Sequence, residues 1–203
     1  LLATPDLAVD RVVTVASRLE KRGRADLALA GAVGPDAAPS GEAPLTPPSA
    51  YAVSKQLNLL FAFELARRRP DVLSVAVTPG RVNTNLGRFH PLHAISAPYR
   101  HLALRDADEG CGAIVHAATV DLAPATYVSA AAGGKASAAA GGYAFAAIEP
   151  SPESRDVQLG AAAWAATDLW TGGALRAAER RPNPGAALIN RVPLAECESG
   201  AGL

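Results

Sequence analysis

The segment Ser49–Gly80, SAYAVSKQLNLLFAFELARRRPDVLSVAVTPG, decides how the rest of the chain is read. Ser49 is of a type that caps helices, and Val53, Leu57, Leu60, Phe61 and Leu65 then recur at helical spacing until Pro70, which cannot continue a helix. The spacing predicts a helix from Ala50 with one apolar face, and with Arg67, Arg68 and Arg69 in a last turn where the helix dipole favours cations. Next comes Val72–Val77 (VLSVAV), a short apolar run of the kind found in strands covered on both faces, closed by Thr78, Pro79 and Gly80. Arg11–Val15 (RVVTV) is a second run of that kind and ends at Ala16 and Ser17. Between them, Arg18 to Pro48 is rich in charge, glycine and proline without sustained periodicity, and reads as mostly a long loop. Strand, loop, helix, strand is the order of an α/β protein with a parallel sheet.

Towards the C-terminus the pattern repeats more weakly. A loop-rich stretch, Arg81 to Arg105, leads to an expected helix over Asp108–Thr119, with acids at its start. A third strand is expected at Thr126–Ala130, a low-complexity excursion at Ala131–Gly142, and extended chain again at Tyr143–Ile148. A final amphipathic helix is expected from Glu153 to Trp170. Residues 1–171 are thus read as one domain and 172–203 as a poorly ordered tail rich in Gly, Pro and Arg.

Composition removes several function classes. The 203 residues carry 19 basic and 19 acidic side chains, with no basic cluster to meet a nucleic-acid backbone. No apolar run approaches the roughly 18 residues that a membrane span needs. Cys111 and Cys197 are too few for a disulfide framework and are not spaced as metal ligands, which makes a reducing, cytoplasmic setting the default expectation. His90 and His93 form an H-x-x-H pair without a third ligand, and Gly134–Lys135 lacks the flanking residues of a phosphate loop, so neither a metal nor a nucleotide triphosphate is expected. The chain begins with Leu1 and contains no methionine, which suggests a piece of a longer protein.

Chemistry concentrates on the helix. Tyr51 and Lys55 are four residues apart, hence one turn apart on one face. With 4 tyrosines and 3 lysines in the chain, roughly 0.06 such pairs would arise by independent placement, so the pair stands out. A phenol titrates near pH 10, but a neighbouring ammonium favours its ionised form and can turn it into an acid or base for carbonyl chemistry. Ser17 follows one strand, and Pro79 and Gly80 follow the next, at the edge where open α/β sheets bind ligands. There Ser17 is placed to donate a hydrogen bond to a carbonyl oxygen whose charge grows as hydride adds.

These residues give the chain its family likeness. DRVVTVAS (Asp10–Ser17), SAYAVSKQLNLLFAFELARR (Ser49–Arg68), VLSVAVTPGRVNTNL (Val72–Leu86) and EGCGAIVHAAT (Glu109–Thr119) resemble the C-terminal half of a short-chain dehydrogenase/reductase. The likeness runs to about Trp170, and the 34-residue interval from Ser17 to Tyr51 resembles the retinol dehydrogenase-like branch. It implies a Rossmann-like, doubly wound parallel sheet whose N-terminal half is missing, and a cofactor of NADP(H) or NAD(H). It also implies interconversion of an alcohol and a carbonyl on a small hydrophobic substrate, in a pocket formed by the loops Arg18–Pro48 and Arg81–Arg105. By the same resemblance Tyr51 is the acid/base and also lies against the cofactor, Lys55 holds the nicotinamide ribose and depresses the Tyr51 pKa, and Ser17 orients the carbonyl. Pro79, Gly80 and Val82 line the nicotinamide, and Thr84 supplies a hydroxyl to the carboxamide or pyrophosphate. The chain departs from the family in lacking a T-G-x-x-x-G-x-G turn, an N-N-A-G segment and any asparagine before Asn58, so the cradle for pyrophosphate and adenosine is not in these residues. The competing expectations are a truncated interaction protein without redox activity and a pigment reductase of the same family.

Overall fold

The two apolar runs that flank the Tyr51 helix are strands, and they pair with each other. In a computed structural model that describes residues 9–29, 46–83, 104–130 and 145–173, β1 (Arg11–Val15) lies parallel to β2 (Leu73–Thr78), in register from Arg11↔Leu73 to Val15↔Val77. β3 (Tyr127–Ala130) continues the sheet parallel to β2, and β4 (Phe145–Ala147) closes it antiparallel to β3, giving the order β1-β2-β3-β4. The wholly parallel sheet expected from the sequence is therefore corrected to a mixed one. An antiparallel neighbour needs no crossover helix, so the direction of β4 puts no such demand on the chain between it and β3.

Helices cover both faces of this sheet: α1 (Ala25–Leu29), α2 (Pro47–Arg68), α3 (Ala107–Thr119) and α4 (Val157–Trp170). Alternation along β2 assigns the layers. Ala76 meets Leu59, Ala62 and Phe63 of α2 together with Tyr127, whereas Val75 and Val77 meet Ala113 and Ala117 of α3 together with Val128 and Ala130. The strands advance in one direction across the sheet while α2 and α3 pack on opposite faces. The two crossovers judged by those helices thus have opposite hands, a departure from the usual right-handed rule.

Several sequence expectations need correcting. The stretch read as loop holds a 3-10 turn, Arg18–Arg22, and the helix α1, while residues 30–45 lie outside the described residues. α2 starts at Pro47 rather than Ala50, with Thr46 at the N-cap, because Pro47 and Pro48 suit the first helical positions, where no amide hydrogen is required. Ser49 instead donates to the Thr46 carbonyl at 2.9 Å. α2 does not present one apolar face. Leu59 turns towards the sheet, and Leu60 towards Ala25, Leu29, Ala163 and Ala166 of α1 and α4, so both are at most 1% exposed. The expected final helix is broken: Ser151 caps a 3-10 turn, Pro152–Arg155, and the Asp156 carboxylate then accepts the Leu159 N–H to start α4. β1 is only half buried, since β2 is its one strand partner among the described residues. The low-complexity segment and the tail from residue 174 lie outside the described residues, and none of the described helices is long and apolar enough to cross a membrane.

Candidate active site

Parallel strands end together, and here that edge gathers the candidate residues. β1 delivers Ser17 two residues past Val15, and β2 delivers Pro79, Gly80 and Val82 just past Thr78. α2 lies across the edge of β1 and is fastened there by two side chains. Lys55 Nζ donates to the Val15 carbonyl at 3.3 Å, and Asn58 Nδ2 donates to the same oxygen at 3.0 Å. The Lys55 ammonium also lies 5.6 Å from the centre of the Tyr51 ring, within range of cation–π attraction. Tyr51 is half-buried one turn ahead of it.

Ser17 is the N-cap of the turn Arg18–Arg22. Its Oγ accepts the Leu19 N–H at 3.3 Å, which occupies an acceptor position and leaves its O–H to donate elsewhere. The next residue, Arg18, reaches over the ends of the strands to donate to Ser129 Oγ at 3.2 Å. Beneath them sits Tyr127, 1% exposed, its hydroxyl beside Thr78 but outside hydrogen-bonding geometry. Burial, and next the Glu20 carboxylate, push the Tyr127 phenol well above its ordinary value, so it stays protonated.

On the β2 side, Gly80 has φ +82°, a left-handed conformation that glycine adopts without a Cβ penalty. Val82 forms a single parallel bridge with Arg105, made by Arg105 N–H to the Arg81 carbonyl (2.9 Å) and Asn83 N–H to the Arg105 carbonyl (2.8 Å). In that pattern the N–H and C=O of Val82 itself point to the opposite side, where an amide-bearing ligand can meet them. Val82 is held from below by Gly110 in the first turn of α3, where an added Cβ would stand 2.6 Å from Val82 Cγ2. Gly110→Val is therefore expected to push Val82 out of place, with about 1–3 kcal/mol lost in stability from overpacking. A urea melt checks this; wild-type stability in the variant would mean that Val82 does not pack against Gly110. Thr84 lies outside the described residues.

Sequence reasoning passed over four residues that shape this edge or pack beneath it. Asn58 gave no signal beyond its polarity on an apolar helix, and Tyr127 looked like an ordinary strand aromatic. Gly110 could have been noticed as a glycine inside a helix, where it costs about 1 kcal/mol unless something packs against it. Glu20 carried no signal, because glutamate is read as a surface residue. No cluster of potential metal ligands occurs among the described residues.

Comparison with known proteins gives partial matches. No family model matches the chain. Over 39 residues, 19% of the chain, it is 56% identical to the protein named "Putative daunorubicin C-13 ketoreductase DnrU" of Streptomyces sp. (strain C5), of which the match covers 14%. The fold is similar to the crystal structure of an uncharacterized protein from Mycobacterium paratuberculosis, with a TM-score of 0.56 and 27% identity over 81% of the chain. The chain spans about half (51%) of that structure's length.

Proposed function

We propose that the chain is the catalytic part of a nicotinamide-dependent oxidoreductase that interconverts an alcohol and a carbonyl on a hydrophobic small molecule. In this reading residues 1–171 belong to a Rossmann-like, doubly wound domain of the short-chain dehydrogenase/reductase family, on its retinol dehydrogenase-like branch. The observation that carries it is the fastening of Lys55, one turn from Tyr51, to the carbonyl that ends β1, two residues before Ser17. The 39-residue likeness to a protein named as a ketoreductase supports the same class of reaction.

The residues present fit a nicotinamide. Val82 offers an outward N–H and C=O to a carboxamide, Gly80 lets the chain turn at the strand end, and Lys55 supplies an ammonium for ribose hydroxyls. Bound NADP(H) or NAD(H) would supply hydride for reduction and accept it for oxidation. In the reductive direction Ser17 donates its O–H to the substrate's carbonyl oxygen, which makes the carbon electrophilic and steadies the growing alkoxide. Tyr51 then gives its phenolic proton to that oxygen, and the Lys55 ammonium stabilises the phenolate left behind. In oxidation the same groups run in reverse.

The test is consumption of NADPH or NADH by the protein as encoded by its gene, with a panel of carbonyl compounds that includes retinal, steroid ketones and a polycyclic aromatic ketone. Carbonyl-dependent loss of reduced cofactor is the expected result. No turnover with either cofactor across the panel, from protein shown to be folded, would favour an interaction protein instead.

A further inference from the structure

Glu20 is 0% exposed, and no cation pairs with it among the described residues. A buried carboxylate without a counter-ion is costly unless hydrogen bonds hold it in place. Here they all come from one short stretch. Ser151 N–H donates to one carboxylate oxygen at 3.0 Å, while Ser151 Oγ and Ser154 Oγ donate to the other, each at 2.7 Å. Both serines are buried, at the start of the turn that leads into α4.

The other end of Glu20 faces the candidate site. Its N–H donates to the Ser17 carbonyl at 3.0 Å, and the turn it belongs to presents the Leu19 N–H to Ser17 Oγ. The far end of that turn is anchored independently on α2. Gly23 sits where an added Cβ would meet the Gln56 side chain at 2.6 Å, and Gln56 Oε1 accepts the Ala25 N–H at 2.8 Å. What the carboxylate adds is a restraint on the end of the turn beside Ser17.

We propose that Glu20 is a positioning residue for the reaction: its carboxylate ties the Ser17 turn to Ser151 and Ser154, and so sets the direction in which the Ser17 hydroxyl donates. The inference rests on the oxidoreductase reading of Ser17 and Tyr51. Glutamine at position 20 keeps one acceptor oxygen and an amide that can donate to a serine hydroxyl, whereas alanine takes the acceptor from the Ser151 N–H and leaves the two serine hydroxyls, 2.9 Å apart, with only each other.

The experiment compares Glu20→Ala, Glu20→Gln and the paired variant Ser151→Ala/Ser154→Ala in the protein as encoded by its gene, with Tyr51→Phe alongside. Because small misplacements of a catalytic group are expensive, Glu20→Ala is expected to lose about 10- to 100-fold in kcat at a cofactor Kd within about twofold of wild type. Glu20→Gln should restore most of that loss. Where Glu20→Ala does not fold, the paired serine variant carries the test, with a loss in kcat of about tenfold expected at unchanged cofactor affinity. Wild-type kcat in folded Glu20→Ala, or in the paired variant, overturns the proposal. So does a loss that Glu20→Gln does not reduce. If Tyr51→Phe is inactive while Glu20→Ala is fully active, this inference alone fails; if Tyr51→Phe turns over like wild type, the reading of the site fails first.

Discussion

Replacing Tyr51 by phenylalanine is expected to lower kcat by about 10²- to 10⁴-fold, the usual worth of a positioned proton donor, while nicotinamide affinity stays near wild type. The ring remains, so its contact with the Lys55 ammonium survives, and so do the bonds of Lys55 and Asn58 to the Val15 carbonyl. Only the hydroxyl is removed. Tyr127 provides the internal control, because it is also a phenol near this edge but is buried, protonated and without a hydrogen-bond partner among the described residues. Tyr127→Phe deletes an unsatisfied hydroxyl and should leave turnover intact, with stability unchanged or improved by about 1 kcal/mol. Steady-state kinetics on the two variants separate a chemical role from a packing one. If the losses were reversed, the proton donor would be the buried phenol and the assignment to Tyr51 would be wrong.

The second large effect concerns what holds α2 in place. Glu64 is 2% exposed on the side of α2 that faces α4, its carboxylate paired with Arg67 and Arg68 one turn on. Gly160 allows the close approach, since a Cβ there would come within 3.3 Å of Glu64 Oε2. Beside it Trp164 stacks on Phe61 at 5.5 Å, and the Arg68 guanidinium lies 5.2 Å from the Trp164 ring. Removing both arginines leaves a buried carboxylate without a cation. The pair Arg67→Ala/Arg68→Ala should therefore cost about 3 kcal/mol, at the low end for a broken buried ion pair because both guanidiniums are partly in water. Glu64→Met removes charge and partners' need for it together, and should cost much less. Urea unfolding with matched slopes measures the difference. Equal costs for the two changes would mean that the carboxylate is solvated and that α2 and α4 are held by apolar contact alone.

Much of this was legible in the sequence wherever pattern alone decides the outcome. β1 follows the RVVTV run residue for residue, and β2 follows its run displaced by one position, because short runs rich in valine without polar alternation suit strands of a covered sheet. The pairing of Tyr51 with Lys55 was visible because helical spacing dictates it. The turn Arg18–Arg22 and α1 were not, since each is five residues long and too short to show a period. They are held by tertiary bonds, Glu20 to Ser151 and Ser154 and Gln56 to the Ala25 amide. The break before α4 did have signals, Ser151 followed by proline and then Asp156, both able to cap, but the apolar residues on either side masked them. The burial of Glu20 and Glu64 could not be read at all. One stands where a turn meets the sheet edge and the other where two helices cross, and a linear pattern reveals neither place.

The central claim is that the Tyr51 phenol, with Ser17 and Lys55, serves hydride addition to a carbonyl carbon. Its most direct test follows the hydrogen atom: the protein as encoded by its gene is incubated with a carbonyl compound and reduced nicotinamide cofactor deuterated at the transferable position, and the product is analysed by mass spectrometry. The account predicts one deuterium on the former carbonyl carbon and none on its oxygen, with Tyr51→Phe slowing formation of the labelled product by the same factor of about 10² to 10⁴. A reduced product without deuterium on carbon, or labelled product formed equally well by Tyr51→Phe, would contradict it.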